Sequence, residues 1–471
     1  MKIVDRIYID GAFVAPHGAE MFDLYNPATA EVIGQVRLGD EEDTRAAIAA
    51  AKRAFPAMAR TSKSERLDML ARLAEALTAR REDLIEAVIE EYGAPISRSA
   101  WMADHAINVF RLAAQTLEGY ELERQVGTAR VTMEPLGVVG LITPWNANPG
   151  FIAGKLAMVI ASGSTCVIKP SEMSALQTQI VAEAFHEAGL PAGVCNIVNG
   201  RGDVVGAELS RNPDVAKISF TGSTATGRSI LRSAADTFKR VTLELGGKSP
   251  MVIMDDADFE AAIPFVLNSG FGNSGQACIA GTRILVPSRR LGEFEAAIQA
   301  GLGAFPSGDP RDPAIAIGPV VSRRQWDRVQ SYIRQGQAEG ARLLAGGEGR
   351  PDGTSDGWFV KPTIFTDVRN DMVIAREEIF GPVLAIIPYE TDAQAVEIAN
   401  DTDYGLHAYV AGADEDRARR VAERIVAGRV IINGAPMEMS APFGGFKHSG
   451  IGREYGTFGL DAYLEPKAVM G

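Results

Sequence analysis

Apolar and polar positions change their period several times along the chain. From residue 2 to 36, short apolar runs are cut by Asp-Gly and Asn-Pro signals in "YIDGAF" and "YNPATAEVIG", which predicts short strands and turns. The period then lengthens. In "GDEEDTRAAIAAAKRAF" the residues Ile48, Ala51 and Phe55 form one stripe. Acids open the segment and bases close it, as a helix dipole favours. Residues 64–92 carry Leu67, Leu70, Leu77 and Leu84 at helical spacing and predict a second helix stopping at Gly93.

Between 138 and 256 the pattern alternates. Strand-like runs "VVGLITP", "TCVIKP", "CNIVNG", "AKISFTGS", "VTLELGG" and "MVIMDD" are separated by helical stretches, notably 174–189 and 225–235. This rhythm predicts an α/β fold with a doubly wound parallel sheet. Ligands of such sheets sit beyond the carboxyl ends of the strands, where the polar tails "TPWN", "KPSE" and "TGS" fall. A similar alternation over 260–430 predicts a second α/β domain: helices near 293–302 and 326–339, then "FVKPTIF", "VLAIIPY", "LHAYVAG" and "RVIING". Residues 1–118 and 138–247 are read as one domain and 248–440 as the other. "YELERQVGTARVTMEPLG" predicts a protruding hairpin turning at Gly127, and residues 458–471 an extended arm.

The chain has 471 residues, beyond the roughly 250–300 at which one core stops growing, which agrees with more than one domain. A hydrophobic fraction of 46% and a charged fraction of 23% are ordinary for a globular protein. The net charge of -13 repels a phosphate backbone, so no nucleic-acid partner is expected. Basic pairs such as Arg323-Arg324 and Arg419-Arg420 read as solvated helix faces. No apolar run approaches the roughly 18 residues of a membrane span, and Lys2, Asp5, Arg6 and Asp10 leave no signal-like apolar core. Three cysteines (Cys166, Cys195 and Cys278) with no CxxC, and scattered histidines, predict no disulfide frame and no metal site. The expectation is a reduced, cytoplasmic protein.

Three segments carry candidate chemistry. In "FGNSGQACIAGTR" small residues surround Cys278: Ser274, Gly275, Ala277, Ala280 and Gly281 let a substrate approach its sulfur. The plain alternative is an inert buried thiol, the usual state of a free cysteine and the one read for Cys166 and Cys195. In "LELGGKSP" Glu244 ends an apolar strand. It is either a partnered structural carboxylate or a base with a raised pKa. In "TPWNANPG" Asn146 offers an amide N–H₂ to an oxyanion, or caps a turn. "GSTATGRS" only approaches a P-loop, with Arg228 where that motif needs Lys. "GRGDVVG" misses GxGxxG by one position.

Together these segments resemble the aldehyde dehydrogenase superfamily over essentially the whole chain. "LELGGKSP" is similar to its glutamate signature and "FGNSGQAC" to its cysteine signature. "PWN", "KPSE", "FTGSTATG", "EEIFGPV" and "PFGGFKHSGIGRE" follow in the family's order. The resemblance implies that Cys278 attacks an aldehyde, that Asn146 and the Cys278 N–H hold the oxyanion, and that Glu244 activates water. Lys155 and Glu454 match a proton relay. NAD, with NADP as the alternative, is the implied cofactor. Lys169, Ser171 and Glu172 match its adenine-ribose end, and Gly202 and Gly206 its adenine. Phe220, Thr221, Gly222 and Ser223 match the diphosphate turn. Leu245, Gly246, Glu378 and Phe380 match the nicotinamide end, beside the strand tip Ile142, Thr143, Pro144 and Trp145. The hairpin 119–137 and the arm 458–471 match oligomerisation elements, which implies a homodimer or homotetramer.

Glu172 would repel a 2′-phosphate, which favours NAD, whereas Lys169 and Ser171 could welcome it. Small residues at Ala147, Gly150 and Gly154, with Phe151, Ile279, Met437 and Phe443 as apolar walls, predict a roomy tunnel for aromatic or medium-chain aldehydes. A semialdehyde is the alternative substrate. A cysteine-dependent esterase or hydrolase is the rival class, but it would want a histidine base, and no histidine lies in these motifs. A CoA-acylating relative would usually lack Glu244.

Overall fold

The computed structural model describes residues 1–471. Five parallel strands fill the middle of an eight-stranded sheet, in the order Arg240–Glu244, Val215–Thr221, Val138–Ile142, Thr165–Lys169 and Cys195–Ile197. Val138–Ile142 comes first in the chain of these five yet lies centrally. The strand order therefore reverses between it and Val215–Thr221, and a crevice is expected beyond their carboxyl ends. Antiparallel strands flank this core: Gly450–Ile451 beside Arg240–Glu244, and Ile7–Ile9 beside Cys195–Ile197.

A second sheet has seven strands, in the order Arg342–Ala345, Thr363–Thr366, Val383–Tyr389, Arg283–Pro287, Pro250–Ile253, His407–Ala411 and Arg429–Ile432. Only the Arg342–Ala345 pairing is antiparallel. Pro250–Ile253 lies in this sheet, so "MVIMDD", the last run of the first alternating series and the first beyond residue 247, pairs with the later strands. Both sheets carry continuous apolar strands, and such a run does not say which sheet it will join.

The largest core joins the first sheet to three helices, Lys63–Ala79, Ile96–Gly119 and Asn148–Ser162, through Leu70, Phe110 and Leu156. The 24-residue helix Ile96–Gly119 is absent from the sequence reading, although Met102, Ala106, Val109, Ala113 and Leu117 mark its buried stripe. Residues 64–92 form two helices, because Arg80 (φ -106°, ψ 15°) breaks the spiral between Ala79 and Arg81. Gly93 does end the second, in the left-handed region at φ 78°. Helix Glu41–Met58 opens with a capping box between Asp40 and Asp43, worth about 1 kcal/mol. No base closes it. Burial of Met58 draws the helix past Lys52 and Arg53, and Phe55 is only half-buried.

The predicted hairpin forms from Glu123–Val126 and Ala129–Pro135, with Gly127 at φ 58° in its turn. Leu464–Val469 adds a third strand. The last stretch is thus not one extended arm. Helix Gly456–Asp461 precedes the strand, because burying Leu460 in the main core folds that segment. No helix is long and apolar enough to cross a membrane.

Candidate active site

Cys278 sits on the loop between helix Phe259–Phe271 and strand Arg283–Pro287. Asn273, Ser274 and Gly275 are all left-handed, at φ 60°, 56° and 71°, a tight reversal that costs about 1 kcal/mol or more per non-glycine residue. Buried hydrogen bonds hold it. Asn273 Nδ2 donates to the carbonyls of Asn146 and Gln276 at 3.0 Å each. Ser274 Oγ donates to the Gly318 carbonyl at 2.9 Å, and Gln276 Oε1 accepts from Val321 N–H at 2.9 Å. In the sequence Ser274 and Gly275 stand out only as small neighbours of Cys278, and Asn273 and Gln276 carry no assigned part. The two amides inside the cysteine signature were the signal that the loop is braced.

The half-buried Cys278 thiol faces the strand tip carrying Trp145 and Asn146 across a cleft of about 870 Å³. Burial first, then the charges of Glu378 and Glu244, push the thiol up to about 12. The N–H groups of Cys278 and Ile279 oppose this. Asn146 Nδ2 donates to the Gln276 carbonyl at 3.0 Å, which leaves one amide N–H uncommitted. Gly247, three residues past Glu244, packs against the Cys278 carbonyl. Through Gly247, and through the charge of Glu244 acting on the Cys278 thiol, the two signatures adjoin at the seam between the two sheets.

Glu244 is 2% exposed, and both its oxygens lack a hydrogen-bond partner. Burial, and after it the charge of Glu454, hold its carboxyl well above the usual range, while Lys155, Arg453 and Arg429 pull it down. A carboxyl so placed can take a proton and cannot act as a settled ion-pair member. Gly444, at φ 144°, leaves room for it: a Cβ there would lie 2.6 Å from Glu244 Oε1. Lys155 Nζ is ion-paired with Glu454 and donates to Ser219 Oγ at 2.9 Å, and Ser219 donates to Glu454 at 3.2 Å.

The cleft lies at the carboxyl ends of the first sheet's strands, as the fold requires. Pro144, Trp145, Glu172, Thr221, Gly222 and Ser223 line it, as do Leu245, Gly246, Glu378 and Phe380. Ser223 caps helix Thr224–Ala235, turning that helix's N-terminus to the cleft, a position suited to a diphosphate. Thr221 Oγ1 is buried there with no partner. Lys169 is committed to Glu172 at 3.1 Å. Glu378 accepts from Gly247 N–H at 3.0 Å, and burial pushes its carboxyl up to about 7. These donors and acceptors fit a dinucleotide.

Ile142, Thr143, Lys169, Ser171, Gly206 and Phe220 are buried and do not line the cleft, and Gly202 is exposed next to Arg201, which does. Thr143 N–H bonds the Lys169 carbonyl, Ser171 caps the turn Glu172–Ser174, and the Phe220 ring fills the space beside Gly222. Arg323 and Arg324 are exposed on their helix, as expected, and also form part of the cleft rim.

The expected substrate wall is divided. Phe151 lines the cleft, and with Gly150 and Gly154 it also borders a small cavity beside Lys155. Gly154 is open, with Val109 Cγ1 at 3.9 Å from a Cβ position. Gly150 is not: His105 fills its space, 2.7 Å from a Cβ position. Ala147 packs with Tyr92 and Met102 and does not line the cleft. Ile279 anchors the loop by accepting a 2.8 Å bond from Tyr409 Oη. Phe443 pairs with Glu454 through the backbone and packs edge-on to Tyr455, and Met437 is 41% exposed away from the cleft. These four depend on loop paths that residue size does not predict.

The profile of the aldehyde dehydrogenase family matches residues 13–469. A Pseudomonas 3-succinoylsemialdehyde-pyridine dehydrogenase is 46% identical over 473 residues, covering 100% of this chain and 99% of that one. The crystal structure of a mutant aldehyde dehydrogenase C of Pseudomonas syringae, complexed with NAD+ and octanal, superposes with a TM-score of 0.98. It is 44% identical and covers 99% of this chain and 96% of that one. An NAD+ complex of an aldehyde dehydrogenase from Bacillus cereus gives 0.95 at 38% identity, with 99% and 96% coverage. With the parallel-sheet cleft and both signatures in place at its mouth, the chain belongs to the aldehyde dehydrogenase family.

Proposed function

We propose that this chain oxidises an aldehyde to its carboxylic acid with NAD, through a covalent bond to Cys278. The observation that carries the reading is that the Cys278 thiol and an uncommitted Asn146 amide N–H line one cleft, with the unpartnered Glu244 carboxyl near enough for its charge to raise the thiol. Cys278 Sγ attacks the carbonyl carbon, and Glu244 takes the thiol proton, because little thiolate exists at neutral pH. Asn146 and the Cys278 N–H hold the oxyanion. Bound NAD supplies the hydride acceptor that makes the adduct a thioester. Glu244 then deprotonates the water that cleaves it. Water is preferred to CoA as acyl acceptor because this buried base is present. No histidine lines the cleft to serve a hydrolase.

Glu172 at the adenine-ribose end, with Lys169 already paired to it, supports NAD over NADP. An aromatic or medium-chain apolar aldehyde is supported by Phe151 on the cleft wall. The octanal complex points the same way, whereas the Pseudomonas relative is named for a pyridine-bearing semialdehyde and so supports a semialdehyde as the alternative substrate. The three cysteines are free, which suits a reducing cytoplasm. Glu123–Val126 is a wholly exposed edge strand, which supports assembly into a homodimer or homotetramer. An aldehyde panel read by NADH absorbance tests the function. Benzaldehyde and octanal should exceed acetaldehyde and succinate semialdehyde in kcat/KM. NADH formation that survives in Cys278→Ala would overturn the covalent route.

A further inference from the structure

Glu244 has no hydrogen-bond partner, so packing alone orients its carboxyl. At Oε1 that packing comes from Gly444, where a Cβ would lie 2.6 Å away. Whatever fixes Gly444 therefore fixes the carboxyl. Gly444 belongs to no strand or helix, and it follows a loop, residues 433–440, that is exposed over nearly its whole length. A segment of that kind is not held by its own hydrogen bonds.

Arg429 holds it. This residue opens the edge strand Arg429–Ile432 of the second sheet, opposite His407. Its Nε donates to the Pro442 carbonyl at 2.8 Å, and its Nη2 donates to the Ala441 carbonyl. The guanidinium lies 5.2 Å from the Phe443 ring centroid and 6.0 Å from that of Tyr455. Gly428, one residue earlier, packs so closely on Gly444 that a Cβ would run into the Gly444 carbonyl. Residues 428 and 429 thus touch 441, 442, 443 and 444 in turn. On the far side Phe443 and Glu454 exchange both backbone hydrogen bonds, at 2.8 and 2.7 Å.

The arginine is spent on this contact. It is half-buried and forms no ion pair, and Nη1 is buried without a partner. A cation used in this way gives up solvation that a surface arginine keeps. Its planar fork reaches two successive carbonyls while its face covers a ring, which a lysine ammonium cannot do.

We propose that Arg429 is a positioning residue for the base: it clamps residues 441–444 against Glu244, so that the carboxyl meets the water that hydrolyses the thioester. The proposal rests on Glu244 being that base. In this step the water oxygen bonds the acyl carbon and the C–S bond breaks. Glu244 takes a water proton and the sulfur regains one. The charge of Arg429 works in the same direction. Burial and then Glu454 oppose ionisation of Glu244, and Lys155, Arg453 and Arg429 favour it. Cys278 and Tyr455 are the other titratable groups it faces.

The test is the decay of the acyl adduct on Cys278 with octanal, followed by quench and mass spectrometry. In Arg429→Met decay in water should slow about 10-fold, a part of the roughly 100-fold that a 1 Å misplacement costs. Hydroxylamine needs no base, and should still cleave the adduct at the wild-type rate. Arg429→Lys keeps the charge but only one carbonyl bond, and should slow decay about 3-fold. Decay of Arg429→Met within about twofold of wild type, or hydroxylamine cleavage slowed as much as hydrolysis, would overturn the clamp. If Arg429→Met fails to fold, Arg429→Lys decides, and decay equal to wild type there overturns it. Glu244→Gln separates the two ideas. Normal decay in that variant removes the base itself, whereas a stalled adduct there beside normal Arg429→Met removes only the clamp.

Discussion

Gly247→Ala tests how the nucleophile is positioned. Gly247 has no left-handed φ, so its backbone accepts alanine. A Cβ there would meet Leu406 Cβ at 3.4 Å and the Cys278 carbonyl carbon at 3.5 Å. It would also fall about 1 Å inside the ordinary 3.4 Å contact with the Cys278 carbonyl oxygen. That oxygen is backbone, on a loop pinned by Asn273, Ser274 and Gln276, so it cannot swing away. The loop must slide by about 1 Å, and a misplacement of that size costs about 100-fold in rate, or about 2.7 kcal/mol of barrier. The overpacking itself costs about 1–3 kcal/mol of stability, a small drop in melting temperature for a chain of this length. The assay is the pre-steady-state rate of NADH formation with octanal, beside calorimetric melting. Gly246→Ala is the comparison, since its Cβ meets only the flexible end of Glu378. It should mainly raise KM for NAD. A Gly247→Ala burst rate within about threefold of wild type, in a protein melting normally, would refute the argument.

The thiol at about 12 predicts that iodoacetamide alkylation of Cys278 in the cofactor-free enzyme rises about tenfold per pH unit from 7 to 10, because only the thiolate reacts and its fraction is still climbing. A plateau near pH 8–9 in the mass-spectrometric time course would contradict this. Glu172→Gln, which removes the carboxylate proposed to meet the ribose, should raise kcat/KM for NADP about 10-fold or more relative to NAD, and an unchanged ratio would place the discrimination elsewhere. In helix Asn148–Ser162, Gly154→Ala should gain up to about 1 kcal/mol from helix propensity, whereas Gly150→Ala should lose about 1–3 kcal/mol against His105. Equal denaturation midpoints would show that His105 moves aside freely.

Lys217, Ser219 and Thr242 belong to strand runs that the sequence shows, but their burial on one shared face, with Ser219 opposite Thr242, is not legible there. Alternation along one strand shows that its faces differ. It does not show that the polar face is covered by a helix carrying Lys155. Gly150 was misread for a related reason. Its missing side chain suggests space, but His105, 45 residues earlier on a helix the pattern reading passed over, occupies it.

Local sequence determined the strand and helix rhythm, the glycine turns and the chemical types at the cysteine and glutamate signatures, because period, backbone freedom and reactivity are properties of neighbouring residues. Tertiary structure alone decided that Glu244 is left unpartnered and that Cys278 rests on Gly247. It also decided that residues 456–461 coil into a helix. Each of these depends on burial and on contacts between segments far apart in the chain, and a residue's solvation and neighbours exist only once those segments have packed.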